Sequence, residues 1–140
     1  LGHKKNIYFL GIGGIGMSAL ARYFHAQGYT VSGYDKTSSP LTDKLQQEGV
    51  LVSFNDAIED LDSIYMEHKA DVMVVYTPAI PEDNVLFNFF KNEGYSLVKR
   101  AEVLGIVTQQ TTNLSVAGTH GKTTTSSIVA TILLYSEKQF

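Results

Sequence analysis

Residues 7–24 read IYFLGIGGIGMSALARYF, a pattern that leaves a chain few ways to fold. The unbroken apolar run from Ile7 to Leu10 predicts a strand buried on both faces. Glycines at 11, 13, 14 and 16 follow, and Met17, Leu20, Ala21 and Phe24 then recur at the spacing of a helix that Gly28 stops. A buried strand turning through glycine into a helix is the opening unit of a parallel α/β sheet. The same turn can hold a diphosphate. One glycine permits the tight turn, one lets the backbone approach the pyrophosphate, and one lets helix and strand pack closely. Free N–H groups at the helix start then face the anion. Asp35 follows Gly16 by 19 residues, close to the roughly 20 expected of an acid that accepts from ribose hydroxyls. This spacing marks a diphosphate and a ribose, not a nicotinamide. The plainer alternatives are a tight turn without ligand and, for Asp35, a solvated acid at a strand end.

The alternation continues along the chain. Tyr29–Tyr34, Leu51–Phe54, Asp71–Tyr76 and Tyr95–Val98 predict further strands. Leu41–Glu48, the face formed by Leu86, Phe89 and Phe90, and Ala101–Thr108 predict helices. The polar stretch 56–69 reads as one or two short helical turns, and the tyrosines and phenylalanines fall where a core would need them. The expected fold is therefore α/β, a Rossmann-like doubly wound parallel sheet occupying residues 1–110. From Thr112 the pattern restarts, so residues 111–140 are expected to begin a second α/β domain. NLSVAG would be its strand, GTHGKTTT its glycine turn and Ser126–Tyr135 its helix. The fragment would expose Ile128, Ile132 and Tyr135, leaving that helix mobile or buried in a dimer contact.

The second glycine turn, VAGTHGKTTT, carries the more specific chemistry. Strand, turn and Gly-Lys-Thr at a helix start describe a nucleoside-triphosphate site. Gly118, Thr119, His120, Gly121, Lys122, Thr123 and Thr124 would surround ATP. Lys122 would place its ammonium on the β and γ oxygens, and the Thr123 hydroxyl would ligate Mg²⁺. The match is partial, because Val116 stands where the full pattern has its first glycine.

Composition removes other classes. Eleven basic against 14 acidic residues, with no basic run, give no reason to expect nucleic acid or a membrane surface. With no cysteine, disulfides, thiolate zinc sites and thiol catalysis are excluded. The four histidines and the scattered acids lack metal-ligand spacing. The first apolar run starts too early for a signal peptide, and Leu1–His3, which lack an initiator Met, read as a remnant of trimming or expression.

Taken in order, GIGGIGMSALA, GYD, YTPAI, KRAE and GTHGKTTT resemble the N-terminal part of the Mur ligases, from about Lys5 to the end of the chain. The resemblance implies a cytoplasmic, ATP-dependent enzyme of peptidoglycan synthesis with a UDP-binding, an ATP-binding and an amino-acid domain. It implies that Gly11, Ile12, Gly13, Gly14, Ile15 and Gly16 hold the diphosphate of UDP-N-acetylmuramate and that Asp35 contacts the uridine. Thr77, Pro78, Ala79 and Ile80 would line the diphosphate and sugar, while Lys99, Arg100 and Glu102 would reach toward the muramyl group. Without the resemblance, a surface ion pair of Arg100 with Glu102 or a neighbour is the simpler reading. The implied chemistry is phosphorylation of the muramyl carboxylate by ATP, followed by attack of the L-alanine amine on the acyl phosphate. A chain of this length would bind the UDP substrate without catalysing ligation. Two rivals remain: a nicotinamide- or nucleotide-sensing module, which leaves GTHGKTTT without a role, and a sibling ligase that recycles cell-wall peptides.

Overall fold

The computed structural model describes residues 4–136; the suspected remnant Leu1–His3 lies outside the described residues. Five strands form one sheet: β1 (Asn6–Leu10), β2 (Thr30–Tyr34), β3 (Leu51–Ser53), β4 (Val72–Tyr76) and β5 (Ser96–Lys99). Their order is β3-β2-β1-β4-β5 and every pairing is parallel. The helices are α1 (Ile15–Ala26), α2 (Pro40–Gln47), α3 (Ser63–Glu67), α4 (Val85–Asn92), α5 (Arg100–Gln110) and α6 (Lys122–Tyr135). The chain divides into two compact units, Leu1–Ile106 and Val107–Phe140, and the whole sheet belongs to the first.

Register decides where a ligand can sit. Leu10 pairs with Tyr34, Phe9 with Val75, and Tyr76 with Lys99, so the carboxyl ends of β1, β2, β4 and β5 finish at one level. The chain leaves β1 toward β2 and β3, then returns to β4 on the other side of β1. That reversal opens a crevice beyond the strand ends, the position where open α/β sheets take ligands.

Side-chain alternation explains why β1 is apolar throughout. Tyr8 and Leu10 join Val72, Val74, Tyr65, Leu86, Phe90 and Tyr95 in one buried cluster. Phe9, one step out of phase, points to the opposite face, where its ring lies 6.5 Å from that of Phe24 in α1. Phe90 is fully buried, with ring centroids 5.2 Å from Tyr8 and 5.0 Å from Tyr95.

Most predicted elements form with ends shifted by a residue or two, and stretch 56–69 resolves into a 3-10 turn, Ile58–Asp60, and α3. The exception is the strand expected at NLSVAG: residues 112–118 carry no strand. A strand exists through its neighbours, and among the described residues none pairs with this one. The helix that follows starts at Lys122, earlier than Ser126, because Gly121 ends the loop in a left-handed cap. Within this second unit Ile128, Ile132 and Tyr135 are exposed, as expected.

Burial gives the cluster an alkaline limit. Burial pushes the Tyr65 phenol up to about 12, the neighbouring Ser32 offsetting only part of the effect. Tyr8 is raised further, first by burial and then by Tyr65, Asp56 and Asp60. The unfolded chain loses these protons near the ordinary value of 10.0, whereas the folded chain retains them. Stability is therefore expected to be complete below pH 10 and to fall as pH rises toward 12. Urea melts across that window should show the fall, and Tyr65→Phe should make it shallower.

Candidate phosphate-binding cleft

A cleft of about 970 Å³ lies beyond the carboxyl ends of the strands, within the first unit. Its wall includes Gly11, Gly13, Gly14, Ile15 and Gly16 after β1, Asp35 after β2, Thr77–Ile80 after β4, and Lys99 and Arg100 after β5. Parallel register thus brings together residues that the sequence spreads over nearly 90 positions. Two expected residues stand apart. The Ile12 side chain is completely buried, and Glu102 on α5 is exposed but not part of the wall. Arg100 makes no ion pair with Glu102 among the described residues.

The glycine loop does not offer all its N–H groups to a ligand. Gly11 and Ile12 both donate to the Tyr34 carbonyl, at 2.7 and 3.0 Å. Gly13 donates to Asp35 Oδ2 at 2.7 Å, and Gly14 to the Gly11 carbonyl at 3.3 Å. The first bond of α1 runs from Ser18 N to the Gly14 carbonyl. The amides of Ile15, Gly16 and Met17 are therefore the unclaimed first-turn donors, at the positive end of α1.

Arg100 lies beside the start of α1. A methyl placed on Gly16 would come within 2.6 Å of an Arg100 guanidinium nitrogen, so Gly16 is the side-chain gap through which Arg100 crosses the helix start. A planar fork of N–H groups beside three free amides suits a phosphate oxygen cluster. Asp35, Asp56 and Asp83 occupy other parts of the wall, with Lys36 beside Asp35.

Two other helix starts at the cleft are capped. In α2, Pro40 has no N–H, and Ser39 and Thr42 bond reciprocally in a capping box. In α4, Asp56 accepts from Val85 N and Leu86 N at 2.8 and 2.9 Å, and Asn84 accepts from Phe87 N. Lys36, Thr37, Ser39, Asp56, Asp83 and Asn84 all line the cleft without having been singled out in the sequence. Asn84 before VLFNFF carries a readable cap signal. Asp56 carries none, because it caps a helix 29 residues away.

In the second unit the loop 118–121 closes on its own lysine. Lys122 Nζ donates to the Gly118 carbonyl at 2.6 Å and to that of Thr119 at 3.3 Å. Thr119, His120, Thr123 and Thr124 are exposed around it. No group of three or more His, Asp or Glu able to hold a metal occurs among the described residues. A Mg²⁺ ion here would take Thr123 as a protein ligand and complete its shell from phosphates and water, in the manner usual for that ion.

A model of the "Mur ligase family, catalytic domain" matches residues 6–112. The chain is 52% identical over 132 residues to the UDP-N-acetylmuramate–L-alanine ligase of Porphyromonas gingivalis, covering 94% of this chain and 29% of the relative. It is 53% identical over 136 residues to the same-named enzyme of Flavobacterium psychrophilum, covering 97% and 30%. The chain thus spans about three-tenths of the length of these curated relatives. Among solved structures, the UDP-N-acetylmuramate-alanine ligase of Thermotoga maritima superposes with a TM-score of 0.83 at 28% identity, covering 95% of this chain and 30% of that one. A murein peptide ligase from Psychrobacter arcticus superposes with a TM-score of 0.79 at 30% identity, covering 94% and 27%. No helix among the described residues is long and apolar enough to cross a membrane.

The two close-approach glycines should respond differently to alanine. At Gly16 the atoms nearest the new methyl belong to the flexible Arg100 side chain, and alanine favours a helix by about 1 kcal/mol over glycine. Gly16→Ala should therefore leave the melting temperature unchanged or raised while displacing the guanidinium. At Gly13 the methyl would fall 2.8 Å from Asp35 and 2.9 Å from buried Thr42, and crowding of this kind costs about 1–3 kcal/mol. Gly13→Ala should lower the melting temperature by several degrees. Paired thermal melts check the contrast.

Proposed function

The chain belongs to the Mur ligase family, and from that premise we propose that its first unit holds the UDP part of UDP-N-acetylmuramate. The reading extends to the whole enzyme as a ligase of L-alanine and UDP-N-acetylmuramate, as the names of the curated relatives suggest, and, by the motif GTHGKTTT, as one that uses ATP in the cytoplasm. The observation that carries it is the open start of α1, where the amides of Ile15, Gly16 and Met17 are unclaimed and Arg100 stands beside Gly16 at the carboxyl edge of the sheet. A diphosphate fits that end because its charge meets a helix N-terminus and a bidentate cation together. The nucleoside would extend along the Asp35 and Lys36 wall, and the sugar along Thr77–Ile80.

The second loop completes the proposal. Gly118–Thr124 would receive ATP, with Lys122 turning from the loop carbonyls to the β and γ phosphates. Mg²⁺ bound at Thr123 would offset charge on the transferring phosphoryl group. A carboxylate is a poor acylating agent, and phosphorylation gives it a leaving group that the amine of L-alanine can displace. The 52–53% identity to L-alanine ligases favours this amino acid over the peptide substrate of a murein peptide ligase.

Calorimetric titration with UDP-N-acetylmuramate, UDP and NADH in parallel tests the reading. The UDP ligands should bind saturably while NADH gives no heat. Arg100→Ala should weaken UDP by roughly tenfold or more, as expected for a lost charged hydrogen bond. Binding of NADH with UDP silent would sink the proposal.

A further inference from the structure

We infer that Asp35 is a positioning residue, whose carboxylate holds the glycine loop in the shape that leaves Ile15, Gly16 and Met17 free for a diphosphate. The inference rests on the reading of the cleft given under Proposed function and assigns Asp35 a different task from the ribose contact that its spacing suggests. Both of its oxygens are engaged by backbone. Oδ2 accepts from Gly13 N at 2.7 Å, and Oδ1 accepts from Thr37 N at 3.1 Å. The backbone of Asp35 is fixed in turn, its N–H donating to the Ser53 carbonyl at 3.0 Å.

Three features support a positioning role. First, Asp35 continues what Tyr34 begins: the Tyr34 carbonyl takes the amides of Gly11 and Ile12, and the next residue's side chain takes that of Gly13. The end of β2 thus claims three successive loop donors, and the donors beyond the turn are left open. Second, the contact is close enough to dictate the residue opposite. A methyl on Gly13 would stand 2.8 Å from Oδ2, so Gly13 is required by Asp35 and Thr42 even before any ligand enters. Third, the charge is of the wrong sign for an anion site. A carboxylate bonded into a diphosphate-binding loop repels the ligand, and its hold on two backbone amides gives a reason for an acid there that needs no ligand.

Two substitutions separate the roles. Asp35→Asn removes the charge but keeps an oxygen for Gly13 N, whereas Asp35→Ala removes the acceptor. Binding of UDP and of inorganic pyrophosphate to the 140-residue chain is measured for the parent and both variants. The positioning role predicts that Asp35→Ala weakens both ligands alike, by roughly tenfold for one lost charged bond, and that Asp35→Asn stays near the parent or binds tighter. Loss of UDP with pyrophosphate unchanged in both variants would make Asp35 a nucleoside contact and overturn the inference. So would equal effects of Ala and Asn on pyrophosphate, in either direction. A parent chain that binds neither ligand would instead defeat the reading of the cleft itself. Should Asp35→Ala not fold, amide exchange in the parent decides. Gly13 should be protected without ligand, and Ile15 and Gly16 should gain protection only when UDP is added; a fast-exchanging Gly13 amide overturns the role.

Discussion

The end of β2 is the contact on which the cleft depends. Tyr34 and Asp35 together accept the amides of Gly11, Ile12 and Gly13, so the strand beside β1 shapes the loop that leaves β1. Parallel pairing makes this possible, because Leu10 and Tyr34 stand directly opposite each other at the last step of the ladder. A glycine-rich segment has the largest conformational entropy to lose on ordering. Here that loss is met during folding, by backbone bonds to a neighbouring strand, and need not be met again when an anion arrives.

The same economy governs the other helix starts. Several N-termini face one cleft, and each is in principle an anion site. The capping box of Ser39 and Thr42 closes α2, and Asp56 with Asn84 closes α4. The start of α1 is left open, with the Arg100 guanidinium beside Gly16. Asp56 also ties the loop after β3 to the start of α4, joining two parts of the cleft wall that no strand connects.

Much of the fold was legible because its signals are local. The apolar run Ile7–Leu10, the glycines after it, and the helix stops at Gly28, Gly49 and Gly94 act within a few residues. The parallel sheet follows from the alternation and the handedness of crossovers, but not the place where the winding reverses, which here lies between β3 and β4. The site was legible as far as residues fall at strand ends, which holds for Thr77–Ile80, Lys99 and Arg100. What escaped depends on tertiary partners. The burial of Ile12 beneath the loop and the long-range cap from Asp56 have no sequence period. The strand expected at NLSVAG, residues 113–118, failed for the converse reason, since its composition suits a strand but no neighbour pairs with it among the described residues.

The two glycine loops look alike in sequence and are held by opposite means. In the first, donors are claimed by acceptors from another strand, so its shape is a property of the sheet. In the second, the loop's own carbonyls are claimed by Lys122, 2.6 Å from the Gly118 oxygen, so its shape is a property of about five consecutive residues. A phosphate approaching the first loop finds free amides with an arginine already beside them. One approaching the second must draw the ammonium away from two carbonyls, and its affinity is reduced by whatever those bonds contribute. On the proposed reading, the first loop is prepared for an anion by folding alone. The second would reach a binding geometry only as a ligand replaced an internal partner, which would make triphosphate binding the step more sensitive to what surrounds the loop.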